Sequence, residues 1–200
     1  MSIIIGLTGQ SGAGKTTVSK VFSENGFGVI NCDDVARNCT SAGSECNKAL
    51  AKVFPSCFDD KFSLDRKAIS EIIFSNKQML KSFDEIVYPF IIKRIKIIIN
   101  KLSEKYDVIL LDAPTLFESG ADKLCDIKVA VIASHKNRLS RITKRDNISS
   151  ELASKRLKSQ FTEQFFKENC DYLIENNGTK TEARKDTLSI IKLIKERING

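Results

Sequence analysis

Eight residues near the start of the chain, Gly9-Gln10-Ser11-Gly12-Ala13-Gly14-Lys15-Thr16, fit the phosphate-binding pattern G-x-x-x-x-G-K-[ST]. Glycines let a tight loop aim backbone N–H groups at an anion. A helix starting directly after the loop adds the positive end of its dipole. Lys15 is expected to reach the β- and γ-phosphates of a nucleoside triphosphate, and the Thr16 hydroxyl to ligate Mg²⁺. Thr17 is expected to be a helix residue facing the sheet. Magnesium usually needs a carboxylate nearby as well. Asp112 ends the apolar run Val108-Ile109-Leu110-Leu111, at the strand end where α/β sheets bind ligands. Pro114 argues against the plainer role of Asp112 as a helix cap.

Two further groups suit phosphoryl transfer. Asp33 and Asp34 follow a short apolar run, on the same sheet edge as the loop. A carboxylate there can accept the proton of an attacking hydroxyl and hold it in line with the γ-phosphate, while one of the two can equally cap the helix through Val35, Ala36 and Arg37. Arg138, Arg141 and Arg145, at spacings of three and four, share one face of a helix beginning near His135. A solvated basic face is the plain reading. Downstream of a phosphate loop, mobile guanidinium charge over the γ-phosphate is the functional one.

The elements that must position these residues alternate. Strand-type runs occur at Ile3–Thr8, Gly28–Asn31, Val108–Leu111, Val129–Ala133 and Tyr172–Ile174, separated by helix-length segments. This pattern predicts an α/β fold, a parallel sheet with crossover helices on both faces. From about residue 41 to 105 no convincing strand occurs, so a helical insertion is expected between the second and third strands. Asp65 is placed to cap a helix there. Pro89 is expected to begin or bend a helix over Phe90–Leu102, whose Ile92, Ile95, Ile99 and Leu102 share a face.

Composition narrows the class. Two hundred residues, 42% apolar and 28% charged, suit one soluble domain with a sizeable core. No run approaches the roughly eighteen apolar residues of a membrane span, and the N-terminus enters the first strand directly; a cytoplasmic enzyme is expected, with no membrane partner. The net charge of +7 is spread along the chain without an RNA-binding aromatic motif, so no nucleic-acid partner is expected. A monomer or weak homo-oligomer is expected. The six cysteines contain no C-x-x-C pair, and the single His135 is ten residues from the nearest, which argues against zinc and for reduced thiols. GTPase chemistry fits poorly, because Asp112-Ala113-Pro114-Thr115 lacks a switch glycine and no N-K-x-D motif occurs. A small kinase is the better class.

In order and spacing, eight segments resemble the dephospho-coenzyme A kinase family. They are I-I-G-L-T-G…G-A-G-K-T at 4–16, D-D-V-A-R at 33–37, L-D-R-K-A-I…I-F at 64–74 and P-F-I at 89–91. D-A-P-T-L-F-E follows at 112–118, then R-x-x-x-R-D at 141–146, R-L-K-S-Q at 156–160 and D-Y-L-I-E-N-N-G at 171–178. The resemblance implies a P-loop kinase three-layer sandwich, with a five-stranded parallel sheet, a helical substrate-binding region at 41–105 and a lid at 138–160. The remaining segments, 1–40, 106–137 and 161–200, form its core. It implies ATP-dependent phosphorylation of the ribose 3′-hydroxyl of dephospho-coenzyme A, with Mg²⁺ held by Thr16 and Asp112. The family's catalytic aspartate lies four residues before a basic residue, which selects Asp33, paired with Arg37. Lys15, Arg141 and Arg145 are its catalytic partners. ATP is implied to contact Gly9, Gly12, Ala13, Gly14, Lys15, Thr16 and Thr17, with Asn176 and Gly178 near its adenine. Leu116, Phe117, Glu118 and Arg156 are implied beside the acceptor. The alternatives are another small-molecule kinase, with a nucleoside monophosphate or sugar acceptor, and an inactive nucleotide-binding module.

This chain departs from the family's usual G-G-I-G-S-G-K loop, with Gln10 and Ser11 in place of the second glycine and the isoleucine. Gln10 is therefore expected to adopt a backbone geometry that glycine reaches more easily. Asn31 and Cys32 replace an aspartate and an alanine just before Asp33, Tyr88 stands where histidine is common, and Thr115 where leucine is usual.

Overall fold

A computed structural model describes residues 2–199. Five strands, β1 (Ile3–Gly9), β2 (Gly28–Asn31), β3 (Val108–Asp112), β4 (Ile127–Ile132) and β5 (Tyr172–Glu175), form one parallel sheet in the order β2-β3-β1-β4-β5. The inner strands are apolar along their length because both faces are covered. Alternate side chains divide the core between those faces. Ile5, Leu7, Leu110, Val129 and Val131 face α1 (Lys15–Glu24) and α9 (Lys180–Asn199), where Val18, Val21, Phe22, Ile191 and Ile194 are buried. Ile4, Ile109 and Leu111 face the other way, toward α2 (Cys32–Cys39), α3 (Glu45–Ala51), α4 (Arg66–Ser75) and α5 (Lys77–Leu102). No helix among the described residues is long and apolar enough to cross a membrane.

Register places the chemistry. Leu7 and Asn31 both pair with Asp112, and Gly9 pairs with Val131, so the C-terminal ends of β1, β2 and β3 stop at one edge. The phosphate loop, the start of α2 and Asp112 consequently meet there, as expected for ligand sites of parallel sheets.

Neither Asp33 nor Asp34 caps α2. Asn31 Oδ1 accepts from the N–H groups of Asp33 (3.0 Å) and Asp34 (3.2 Å), so neither carboxylate is used as the cap. Asp65 caps α4 as expected, accepting from Lys67 and Ala68 N–H. Pro89 does not begin a helix: α5 starts at Lys77 after the Asn76 cap and runs for 26 residues through the proline. An interior proline costs about 3 kcal/mol. Burying Val87, Ile91 and Ile95 on one stripe against the core contributes about 1.5–3 kcal/mol each, so continuity wins.

Beyond β4, α6 (His135–Asp146) and α7 (Ser150–Lys158) pack on each other through a small cluster of Ile142, Ala153 and Leu157, and α8 (Glu163–Asn169) leads back to β5. Ser134, Ser149 and Thr162 cap these three helices in turn.

Candidate active site

The phosphate loop is built on backbone geometry. Gly9 has φ 143°, Gly12 76° and Gly14 95°, all in the region that favours glycine. A side chain at Gly9 would run into the Val131 carbonyl, and one at Gly14 into the Asn176 carboxamide. Gln10 is not among the residues of positive φ, so the expected strain at this position is absent. The flanking glycines carry the turn, and Gln10 N–H donates to Val131 O at 3.1 Å.

The loop's N–H groups divide into two sets. Those of Gln10, Ser11, Ala13 and Thr17 are taken by Val131 O, Gln160 Oε1, Gln10 O and Gly14 O. Those of Gly12, Gly14, Lys15 and Thr16 have no protein partner among the described residues. Four free donors at a helix N-terminus form an anion site.

They open on a cavity of about 510 Å³, lined by Gly9, Gln10, Ser11, Gly12, Gly14, Lys15, Thr16, Asp33, Pro114, Thr115, Glu118, Arg141, Arg145 and Gln160. Lys15 Nζ pairs with Asp112 Oδ1, both side chains mostly buried at the base of the site. Asp33 faces the cavity from the first turn of α2. Burial raises its carboxyl above the ordinary value, Lys15 opposes that shift, and Asp112 adds to it. Beneath it, burial together with Asp112 and Asp33 pushes the Cys32 thiol up to about 12, so Cys32 is neutral filler rather than a nucleophile. Burial also raises Glu118, which borders both this cavity and a second groove of about 510 Å³ containing Lys77, Lys81, Asp84 and Tyr88.

The three arginines do not act alike. Arg138 is buried, 6% exposed, and donates to Ser11 O (3.2 Å) and Gln160 Oε1 (3.0 Å). It is an anchor beneath the loop rather than mobile charge, because it lies on the α6 turn nearest the sheet. Arg141 lines the cavity and donates to Gly12 O (3.3 Å) and Ala13 O (3.4 Å). Arg145 also lines it, and forms a two-pronged pair with Asp146 at 2.7 and 3.0 Å.

Other implied site residues lie elsewhere. Arg37 points outward, 4.0 Å from Asp34 rather than paired with Asp33. Arg156 donates to Asp146 at 2.9 Å, outside the cavity lining. Leu116 is fully buried in the core. Phe117 packs edge-on against Phe165, ring centroids 5.0 Å apart, so of the Leu116-Phe117-Glu118 segment only Glu118 reaches the cavity. Asn176 is buried and donates to Ala13 O at 2.7 Å, bracing the loop from behind. Gly178 is close against Glu182, and Thr17 serves the first turn of α1 by donating to Gly14 O. Gln160 and Asp146 had no assigned role in the sequence; both fall inside matching segments, at 156–160 and 141–146, which was the available signal.

A sequence profile described as dephospho-CoA kinase matches residues 3–182. The chain belongs to the dephospho-CoA kinase family. The dephospho-CoA kinase of Fusobacterium nucleatum is 40% identical over 186 residues, covering 92% of this chain and 95% of that protein. That of Bacillus cereus is 31% identical, covering 96% and 97%. Among solved structures, a Thermus thermophilus protein superposes with a TM-score of 0.81 at 27% identity over 96% of this chain and 97% of its own. The dephospho-CoA kinase of Campylobacter jejuni gives 0.71 at 25% over 97% and 98%. A shikimate kinase from Acinetobacter baumannii, 18% identical with a TM-score of 0.56 over 98% and 95%, shares the fold alone. As a dephospho-CoA kinase family member, the chain uses ATP as phosphate donor in the final step of coenzyme A biosynthesis.

Proposed function

We propose that Asp33 is the base that activates the ribose 3′-hydroxyl of dephospho-coenzyme A, facing ATP phosphates cradled by the loop. The observation that carries this reading is the shared cavity, with four unpartnered N–H groups and Lys15 on one wall and Asp33 on the other. The triphosphate occupies the N–H groups of Gly12, Gly14, Lys15 and Thr16. Lys15, already paired with Asp112, bridges that carboxylate and the phosphate oxygens. Asp33 accepts the hydroxyl proton as the oxygen attacks the γ-phosphorus; the bond to the β,γ-bridging oxygen breaks and ADP leaves. A carboxyl whose value is raised by burial holds a proton more readily, which suits a base. Arg141 and Arg145 supply positive charge to the transferring group.

The donor set suits Mg²⁺. The Thr16 hydroxyl lines the cavity, and Asp112 ends the neighbouring strand, two hard oxygen donors of the kind this ion takes. Bound there, the ion would neutralise charge on the β- and γ-phosphate oxygens.

The segment 41–105 binds the rest of the acceptor. The groove formed by Lys77, Leu80, Lys81, Asp84, Tyr88 and Pro89 shares Glu118 with the phosphate cavity, which suits a long substrate that reaches from one to the other. Residues 138–160 act as the lid, and their closure excludes water from the transfer. The test is an ADP-release assay over a panel of acceptors, with mass spectrometry of the product. Gain of one phosphoryl group on dephospho-coenzyme A is expected. Turnover of a nucleoside monophosphate or a sugar instead would overturn the reading.

A further inference from the structure

The carboxamide of Gln160 makes a connection that phosphoryl transfer itself does not require. Its Oε1 accepts from the backbone N–H of Ser11 at 3.0 Å and from the Arg138 guanidinium at 3.0 Å. Arg138 Nε closes the ring by donating to Ser11 O at 3.2 Å. Both backbone groups of Ser11 are thus held, one by each member of the pair. Arg138 is 6% exposed, and both of its hydrogen-bonded partners are neutral oxygens. Glu163 acts on it only through space. A buried cation with neutral partners contributes a positive field to the loop above it, which an incoming polyphosphate completes.

Gln160 also stands at a junction. It lies just past the end of α7, and Phe161, directly after it, stacks on Phe165 with centroids 3.9 Å apart and a 9° interplanar angle. Phe161 and Phe165 both meet Phe117 edge-on, in the segment that carries Glu118 into the cavity. One side chain therefore touches the phosphate loop and α6, at the foot of α7.

We infer that Gln160 is a positioning residue for nucleotide binding. Its carboxamide oxygen locks Ser11 of the phosphate loop to the buried Arg138, holding the loop's free N–H groups in register for the phosphates. This goes beyond the proposed reaction and rests only on a nucleotide occupying the loop. Its failure is therefore separable: ADP titration reads the loop without any acceptor, whereas absent turnover on dephospho-coenzyme A would sink the reaction alone.

The experiment replaces Gln160 with Met, which keeps length and volume but removes the acceptor. ADP is titrated calorimetrically, and KM is measured separately for ATP and for dephospho-coenzyme A. The expected result is an ADP Kd and ATP KM raised about tenfold, as for loss of buried hydrogen bonds to a charged group, with the acceptor KM unchanged. A fall in melting temperature with unchanged ADP Kd would show a merely structural contact and overturn the inference. Should Gln160→Met fail to fold, Gln160→Asn withdraws the same oxygen by one methylene and must show the same split. Combining Gln160→Met with Arg138→Lys supplies the second test. If both act through one unit, the double variant binds ADP no more weakly than the worse single variant. Effects that multiply would overturn the inference.

Discussion

The phosphate loop and the helices α6 and α7 that flank it are held by different forces. The phosphate loop grows out of the central strand and into α1, whose Val18, Val21 and Phe22 are buried in a core spanning the sheet. Its donors are aimed by glycine backbone geometry and by bonds to Val131 and Asn176. The flank formed by α6 and α7 rests on a cluster of three buried apolar side chains, and its outer arginines converge on Asp146. A deep core resists local opening, whereas a small satellite cluster with exposed ion pairs opens at low cost.

The largest expected effect lies across the cavity from the loop, at Asp33 on α2. Asp33→Asn removes the proton acceptor but keeps shape and the free loop donors. Turnover should fall by about 10²–10⁴-fold with ADP affinity unchanged in calorimetry; equal losses in both would place Asp33 in binding instead. Next come the supports of the loop and of its flank. Phe22→Ala should cost about 3–5 kcal/mol and Ile142→Ala about 2–5 kcal/mol, but in different measurements. The first lowers the global melting temperature. The second increases amide exchange across α6 and α7 and leaves the sheet protected; a uniform loss of protection from Ile142→Ala would erase the distinction.

A third expectation concerns pH. Asp33 is raised by burial, so its ionised form is disfavoured in the folded protein. Stability from this group is full below its unfolded value, about 3.9, and is lost as pH rises through the folded value. Activity runs the other way, because the base must be ionised. The acid limb of kcat/KM should therefore have its midpoint above the ordinary carboxylate value, and Asp33→Asn should lack that limb. The smallest effect is at the outer end of α6 and α7. Asp146→Asn frees Arg145 and Arg156, both exposed, from their shared half-buried carboxylate, so the melting temperature should change little while ATP KM falls by about two- to threefold. A rise in ATP KM would show that Asp146 instead holds Arg145 in a working position.

Much of the site was legible because its chemistry is local. The loop pattern, its placement after an apolar strand, and Asp112 at a strand end are each set by a few consecutive residues. The arginine face was legible as a face, yet helical spacing cannot say which of Arg138, Arg141 and Arg145 turns toward the sheet. The structure buries the first and lets the other two line the cavity. The start of α5 was misplaced at Pro89, because local propensity weighed more in the sequence than the apolar stripe running through it. Which of Leu116, Phe117 and Glu118 faces the cavity was not legible: Leu116 is buried in the core, and Phe117 is partly buried against Phe161, Phe165 and Phe166.

By itself the sequence determined the fold class, the phosphate loop and the family, since each follows from short-range pattern and residue order. Only the tertiary structure decided that Arg138 meets Ser11 and Gln160, that Asn176 braces Ala13, and that Arg37 turns away from Asp33. The first two unite residues separated by 127 and 163 positions. Such contacts depend on which strand lies beside which and on how far each side chain is buried, and neither quantity is carried by local spacing.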